Sequence, residues 1–284
     1  SLSSGVMHHR LVDRITALND VPREPLVPRR LGKNMCVPFG KILRGKVVPN
    51  TVTKTLHTDK VYEPDLNSFT IEPFPYYSPL KSQIETIKSF DRPVILVDDL
   101  VHKADRLQVL VPQLRENGIP IKKVVVGVLS GYGRDLMQCL KVPVESIYSM
   151  PNLRQWFVES TLYPFIGGDT VRREEMKVAG LQPSINMILP YATPRLSGCS
   201  REALVEFSAC CIENSRDLFQ VLEAEYRKMY AKNLTLSRLS EAVILPLCPD
   251  KGSCMEYDEN LAASVYLEND LETLWRMKEF LIKG

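Results

Sequence analysis

Two adjacent carboxylates, Asp98 and Asp99, follow the apolar run "VILV" at residues 94–97. The run has the composition of a strand that is buried on both faces of a sheet. In open α/β sheets, ligands bind beyond the carboxyl ends of the strands. We expect the strand to end at the two aspartates, with one side chain facing a ligand and the other bonding inward. Carboxylates in this place can accept hydrogen bonds from the vicinal hydroxyls of a ribose, and the alternative is a core unit with an acidic turn.

The five residues from His102 to Arg106 connect the aspartates to the next predicted helix. The free N–H groups at the start of a helix attract anions, so this segment is a candidate phosphate-binding loop. We expect Asp105 to cap its own helix, with Lys103 and Arg106 offsetting its charge if they point inward. His102 is either a ligand or catalytic residue, because a histidine there can titrate near neutrality, or an ordinary loop residue.

Further candidates lie at the ends of other predicted strands. In "SGYGRD" (130–135), Tyr132 could stack on a base and Arg134 could reach a phosphate. In "TKTLHTDK" (53–60), Lys54 and His57 could contact an anion, although only a loop would bring them to one ligand, because on a strand they face opposite sides. The glycines and basic residues of "VPFGKILRGK" (37–46) could cradle an anion, but they match no phosphate-loop pattern. Plain surface stretches are the alternative for each basic group.

The elements that position these residues alternate between strands and helices. Hydrophobic periodicity predicts strands at 94–100, 122–131 and 144–149, separated by helices at 105–117 and 133–141. Such an order implies a parallel sheet of the α/β class. Ser78 and Pro79 suggest another helix over 78–90, whereas the prolines of residues 1–92 oppose long helices before it.

The C-terminal part of the sequence has a different character. Amphipathic helices are predicted after Ser200 and Asp258, each of which we expect to act as an N-cap, with a shorter helix between them. We therefore divide the chain into an α/β domain, 1–197, whose N-terminal part is rich in proline, and an appended all-helical subdomain, 198–284.

Composition limits the class of protein. The 284 residues are 44% hydrophobic and 25% charged, with a net charge of +2, which is ordinary for a globular protein and gives no reason to expect nucleic acid as a partner. No apolar run approaches the roughly 20 residues that cross a bilayer, and the N-terminus has no signal core, so we expect no membrane partner and no export signal. We expect the cysteines to be reduced and mostly packed in the core, which favours a cytoplasmic protein. The seven cysteines lack zinc-site spacing. A homodimer and a longer parent chain both stay open.

The segment "VILVDDLVHKADRL" (94–107) resembles the ribose-phosphate-binding segment of type I phosphoribosyltransferases. The resemblance covers about 94–148 and extends back to about 44, where the family has a mobile basic loop. It implies a phosphoribosyltransferase-like core in which Asp98 and Asp99 bind the ribose hydroxyls of phosphoribosyl pyrophosphate and residues 102–106 hold its 5′-phosphate. It further implies Mg²⁺, held through the ligand rather than directly by the two aspartates, and glycosyl transfer with pyrophosphate leaving.

One departure from the family pattern bears on activity. The family loop is rich in threonine and glycine, because the backbone must approach the phosphate closely and hydroxyls donate to it. Here the loop has no glycine, and the carboxylate of Asp105 would repel a phosphate. The enzyme class is therefore open.

Three functions are compatible with the sequence. The first is a phosphoribosyltransferase, and the second is a non-catalytic module that binds a phosphorylated small molecule or nucleotide and regulates other domains. The third is an interaction domain, which an exposed apolar patch on the helix at 200–232 would favour.

Overall fold

A computed structural model of the chain describes residues 3–28, 30–43, 45–74, 77–154, 156–157, 159–172, 183–194, 198–239, 245–246 and 258–283. The chain forms two compact units. The first consists of Ser1–Asp59 and Ile71–Arg154, and the second consists of Lys60–Thr70 and Gln155–Gly284. The predicted domain division after residue 197 lies later in the chain than this boundary and stays a prediction.

The first unit is built on a five-stranded sheet in which every described pairing is parallel. Strands are numbered in chain order through both sheets of the chain. The first seven are β1 Met35–Pro38, β2 Val52–Thr53, β3 Thr58–Tyr62, β4 Phe69–Pro73, β5 Val94–Val101, β6 Ile121–Ser130 and β7 Val144–Met150. The sheet of the first unit has the order β2-β1-β5-β6-β7, which confirms the predicted α/β class. The carboxyl ends of these strands all lie at one edge, because parallel strands point the same way.

Helices cover both faces of this sheet. They are α1 Ser4–Leu18, α2 Leu80–Lys88, α3 Asp105–Glu116 and α4 Gly131–Cys139. Side chains alternate along β5, so that Ile95 and Val97 pack with α1 while Val94 and Leu96 pack in the cluster that contains α2, α3 and α4. A strand buried on both faces is apolar throughout, which is why the run at 94–97 predicts it correctly.

Two elements of the first unit were not predicted. Helix α1 precedes the first proline, Pro22, and its apolar residues recur with helical spacing at Met7, Leu11 and Ile15. Strand β1 is only four residues long and ends in Pro38, yet it pairs with strands on both sides.

The start of α2 also differs from expectation. The N-cap residue of α2 is Pro79, and no side chain caps the helix. The predicted cap, Ser78, instead accepts a hydrogen bond from Gln83 Nε2 through its backbone carbonyl, so the prediction is wrong.

The second unit combines a small sheet with long helices. Its further elements are a short 3₁₀ helix Glu159–Thr161, β8 Asp169–Val171, β9 Pro183–Ile185, α5 Arg201–Tyr230, α6 Leu236–Leu239, β10 Leu245–Pro246 and α7 Ala263–Lys283. The strand order of its sheet is β10-β9-β8-β3-β4. The region after residue 198 is predominantly helical, as predicted, with the two-residue β10 as the exception to an all-helical subdomain.

One of the two predicted N-caps in this region is correct. Ser200 caps α5, and its hydroxyl accepts a hydrogen bond from the Ala203 N–H. Asp258 does not cap α7, which begins at Ala263, because its carboxylate accepts from the Asn260 N–H in a turn before the helix.

None of the helices that the structure describes combines the length and the hydropathy needed to cross a membrane.

A buried amide joins the end of α1 to the start of β1. Asn19 Nδ2 donates to the Asn34 carbonyl at 3.2 Å and to Thr51 Oγ1 at 3.1 Å, and Asn19 Oδ1 accepts from the Asn34 N–H at 2.8 Å. Asn19 is 4% exposed, so water cannot replace these partners.

We therefore expect Asn19→Ala to lower the free energy of unfolding by about 2 to 3 kcal/mol, because it leaves buried backbone groups unsatisfied. Urea denaturation measures this change. The matched control is Asn117→Ala, which removes one local hydrogen bond to the Gln113 carbonyl at the end of α3 and should cost less than about 1 kcal/mol. Equal effects of the two variants would contradict the expectation.

Candidate functional site

The candidate site lies where β5 continues beyond its neighbour β1. The last residue of β1, Pro38, pairs with Val97, whereas β5 continues beside β6 as far as the pair of Val101 with Leu129. Pairing with β6 extends the strand to Val101, one residue beyond the predicted end, so the aspartates lie near the end of the strand and not at it. Asp98 and Asp99 instead occupy the first two positions of β5 that lack β1 as a partner. We call residues 39–42, 98–99 and 102–106 the carboxylate corner.

Asp99 holds the chain that leaves β1. Its Oδ2 accepts a hydrogen bond from the Lys41 N–H at 2.9 Å, and its Oδ1 accepts from the Ile42 N–H at 2.7 Å. The carboxylate thus takes the place of a strand partner for these two residues. The N–H groups of Lys41 and Ile42 lie in the segment 37–46, which was predicted as a possible anion cradle, and here they bind Asp99 instead. Arg44 of the same segment lies outside the described residues.

Asp98 is bonded on one side only. Its Oδ1 accepts from the Asp99 N–H at 2.8 Å. Its Oδ2 has no hydrogen-bond partner among the described residues and is not sealed from solvent. Of the two predicted ribose ligands, Asp98 is the one that keeps an oxygen available in this structure.

The environment of Asp98 makes its charge costly. Burial raises the pKa of this carboxyl to about 7, with repulsion from Asp99 as the second cause. The positive charge of Arg106 and the hydrogen bond from Asp99 N act in the opposite direction but do not cancel the rise. Near neutral pH the carboxyl is therefore balanced between its two forms, which is a common property of functional groups.

Gly40 allows the chain after β1 to pass this close to the aspartates. A Cβ at this position would lie 2.6 Å from Asp99 Oδ1 and 2.9 Å from Asp99 N, and closer still to Asp98 Oδ1. No side chain fits there without displacing the carboxylates. The sequence marked Gly40 as part of an anion cradle, but its contacts show a packing requirement.

The loop after β5 turns through a left-handed residue. Ala104 has φ of 55° and is the N-cap residue of α3, without a side-chain cap. Asp105 is the first residue of the helix, so the prediction that it caps α3 is wrong. A carboxylate in the first helical turn is stabilised by the helix dipole, which is a sufficient reason for its position.

The two cations of this loop differ in position. Arg106 is half-buried, and its charge acts on Asp98; its guanidinium makes no hydrogen bond within the part of the chain that the structure describes. Lys103 is exposed, and its backbone carbonyl accepts from Gln108 Nε2 at 2.9 Å. Arg106 thus points inward and Lys103 does not.

His102 contacts the end of the neighbouring strand. Its Nδ1 lies 2.8 Å from Ser130 Oγ, and Ser130 Oγ also accepts from the Gly133 N–H at 2.9 Å as the N-cap of α4. The ring of Tyr132 meets the His102 ring edge-on at 5.9 Å between centroids. Ser130 was not among the predicted site residues, although a serine between an apolar run and "GYG" is a recognisable N-cap signal.

Gly133 lets the start of α4 approach the end of β5. A Cβ on Gly133 would come within 2.8 Å of the carbonyl carbon of Val101 and nearer to its oxygen. This close approach brings Ser130 and Tyr132 beside His102.

Three predicted site residues have other surroundings. Lys54 is exposed, and its backbone N–H donates to the Cys36 carbonyl. The His57 ring stacks on Tyr77 at 3.7 Å between centroids. Arg134 is exposed and lies 3.9 Å from the carboxylate of its neighbour Asp135. No contact among the described residues joins Lys54 or Arg134 to the aspartates, so their ligand role stays a prediction.

No group of three or more metal-binding side chains occurs in the described ranges. Asp98 Oδ2 is a hard oxygen of the type that Mg²⁺ prefers. The magnesium ion that the resemblance implies, held through the ligand, stays a prediction.

Comparison with known proteins gives a likeness of fold. No family model and no curated protein matches the sequence. The chain is similar to the crystal structure of a purine phosphoribosyltransferase from Pyrococcus horikoshii, with 10% identity, a TM-score of 0.31 and coverage of 54% of this chain and 91% of that chain. It is also similar to TT1426 from Thermus thermophilus, with 13% identity, a TM-score of 0.31 and coverage of 52% of this chain and 84% of that chain. At these values neither likeness supports an argument about ligand or activity.

We expect Gly40→Ala to destabilise the first unit by about 2 to 3 kcal/mol, because the new methyl group would separate the chain after β1 from the carboxylates that hold it. Chemical denaturation measures the loss. The control is Gly5→Ala, where a Cβ would meet only Ser3 Oγ at 3.8 Å within helix α1 and should not destabilise the protein. A Gly40→Ala variant as stable as the control would contradict the geometry.

The raised pKa of Asp98 predicts a pH-dependent stability. The folded protein binds this proton more tightly than the unfolded chain, so stability falls as pH rises from about 4 to 7 and is constant above. Asp98→Asn removes the charge. It should raise the free energy of unfolding by up to about 4 kcal/mol at pH 8, with a gain that shrinks towards pH 4.

Denaturation curves across this pH range measure the effect. The control is Asp135→Asn, at an exposed position of α4. A destabilised Asp98→Asn protein at pH 8, or a gain independent of pH, would refute the assignment.

Proposed function

We propose that this chain binds a ribose phosphate or a nucleotide at the carboxylate corner. The observation that carries the proposal is the unpaired, solvent-reachable Oδ2 of Asp98, a carboxylate whose charge is disfavoured in the unliganded protein. A protein gains nothing in stability from such a group, and a ligand that donates hydrogen bonds to it relieves the cost.

The ribose of the proposed ligand would contact Asp98. Vicinal hydroxyls of a ribose donate hydrogen bonds, and donation to a carboxylate favours its ionised form. Binding would therefore lower the pKa of Asp98 from about 7 and release a proton near neutral pH. The resemblance to the ribose-phosphate segment of phosphoribosyltransferases assigns the same role to this position.

The phosphate of the proposed ligand would contact Arg106 and the start of α3. The half-buried residue Arg106 provides a positive charge that acts on Asp98, and α3 begins at Asp105 without a side-chain cap on its first N–H groups. Backbone donors and a guanidinium together suit an anion. The charge of Asp105 opposes the phosphate, and Arg106 offsets it.

A base would extend from the sugar towards α4. Tyr132 is 57% exposed, so its ring has a free surface on which a base can stack. This favours a nucleotide over a simple sugar phosphate.

Transfer of the phosphoribosyl group from phosphoribosyl pyrophosphate is the chemistry that the resemblance implies, with Mg²⁺ neutralising the phosphate charge. In this chain, Asp98 would orient the sugar and Arg106 would hold the 5′-phosphate.

The second candidate function is a non-catalytic regulatory or interaction module. Both oxygens of Asp99 are bonded to the backbone, and the loop lacks the family's glycines, so the corner keeps fewer free groups than the family pattern requires. In the second unit, α5 exposes a series of large apolar side chains, namely Leu218, Val221, Leu222 and Met229. This patch favours a protein contact.

Thermal denaturation tests ligand binding. We expect ribose 5-phosphate and adenosine monophosphate at saturating concentration to raise the Tm of the wild-type protein by about 2 to 6 °C, because they bind only the folded state. Asp98→Asn should abolish the shift, and Asp135→Asn should keep it. A full shift in Asp98→Asn, or no shift in the wild type, would refute the proposal.

Release of pyrophosphate separates the two candidates. The wild-type protein is incubated with phosphoribosyl pyrophosphate, Mg²⁺ and a panel of bases. Base-dependent release that Asp98→Asn abolishes would establish transfer. Ligand binding without release across the panel would leave the non-catalytic module.

A further inference from the structure

Ser130 and His102 form a hydrogen-bonded pair at the edge of the sheet, beside the carboxylate corner. Val101 pairs with Leu129, so the two residues that follow this pair are neighbours. Ser130 is 1% exposed and His102 is half-buried. Their contact joins the end of β6 to the loop that leads from Asp98 to Arg106.

The hydrogen-bond partners available to Ser130 decide which of the two groups is the donor in this contact. Ser130 Oγ accepts from the Gly133 N–H and lies 2.8 Å from His102 Nδ1. If Nδ1 carried the proton, the buried hydroxyl proton of Ser130 would have no acceptor among the described residues. An unsatisfied buried donor is costly, so the hydroxyl donates to Nδ1 and the neutral imidazole carries its proton on Nε2.

The other ring nitrogen is directed away from Ser130. The two nitrogens of an imidazole point in diverging directions, so Nε2 faces away from β6. It has no hydrogen-bond partner in the described part of the chain, and it is not closed off from solvent. The loop thus presents one fixed N–H donor.

A role of this pair in nucleophilic catalysis does not fit the geometry. Ser130 Oγ is buried and caps α4, so no substrate carbon can approach it. The exposed functional atom of the pair is Nε2.

The charged residues on the elements next to His102 have both signs. Lys103, Arg106 and Arg134 are positive, whereas Asp98, Asp105 and Asp135 are negative, and the carboxylate of Asp135 lies 3.9 Å from Arg134. Tyr132 contacts the ring edge. A neutral N–H donor adds a hydrogen bond to a phosphate without requiring a further charge.

We propose that Ser130 is a positioning residue, whose hydroxyl fixes the proton of His102 on Nε2 and so presents an N–H donor to the phosphate group of the ligand. This inference rests on the proposed function for its ligand, while its tautomer is a property of the free protein. The donor takes the role that hydroxyls and glycine N–H groups have in the phosphoribosyltransferase loop, which this loop lacks.

Nitrogen NMR of the free protein tests the tautomer without any ligand. We expect His102 Nε2 to be protonated and Nδ1 to be an acceptor in the wild type, with the signal assigned by its loss in His102→Asn. Ser130→Ala should give a mixture of tautomers, and Ser130→Thr, which keeps the hydroxyl, should restore the wild-type form. Protonated Nδ1 in the wild type would overturn the inference, whatever the protein binds.

Substitution of His102 by Asn or by Gln tests which of its two ring nitrogens contributes to binding. The amide nitrogen of Asn replaces Nδ1, and that of Gln replaces Nε2. Titration calorimetry with ribose 5-phosphate should show about a tenfold loss of affinity in His102→Asn and a smaller loss in His102→Gln. Ser130→Ala should lose affinity for ribose 5-phosphate and keep its affinity for ribose, and exposed His9→Asn is the control.

The outcomes distinguish the two proposals. Wild-type binding that is equally strong in His102→Asn would overturn the role of His102 while the ribose-phosphate site stands. Absence of wild-type binding would overturn the proposed function, and the tautomer would still be decided by NMR.

Discussion

The first unit depends on one carboxylate at the place where two neighbouring strands have unequal lengths. Strand β1 stops at Pro38, but β5 continues beside β6, so the chain leaving β1 needs new acceptors for its N–H groups. Asp99 provides both from a single side chain. Because Gly40 has no side chain, the two segments approach closely enough for these bonds to form.

The same arrangement raises the pKa of the second carboxylate, Asp98. Asp98 must lie beside a charged neighbour that cannot move away, in a place from which water is partly excluded, and its pKa rises to about 7 as a result. The adjacent aspartates thus differ in their contacts: Asp99 holds the backbone, and Asp98 keeps one oxygen without a hydrogen-bond partner among the described residues. The charge of Asp98 therefore lowers stability at the edge of the sheet, which is the cost that the proposed ligand would relieve.

The loop between β5 and α3 combines a left-handed residue with two side chains that contact or act on their neighbours. Ala104 adopts the left-handed conformation that glycine usually supplies, at a modest cost in strain. Arg106 turns towards Asp98, and His102 is fixed by a serine on the next strand. These are the side chains on which the proposed phosphate contact depends.

The amino-acid sequence by itself determined the alternation of strands and helices over 94–148, because buried parallel strands are apolar throughout and amphipathic helices repeat every 3.6 residues. It also selected Asp98, Asp99, His102 and Arg106 as the residues around one corner. It did not identify β1, because four residues ending in proline carry too little pattern, and it missed α1, although the spacing of Met7, Leu11 and Ile15 is helical.

Only the tertiary structure decided which aspartate holds the chain and which is free, because the choice depends on where β1 stops relative to β5. It likewise paired His102 with Ser130, which are far apart in the sequence. Hydrogen bonds between segments distant along the chain follow from strand register, and register is set by packing of the whole sheet rather than by local sequence.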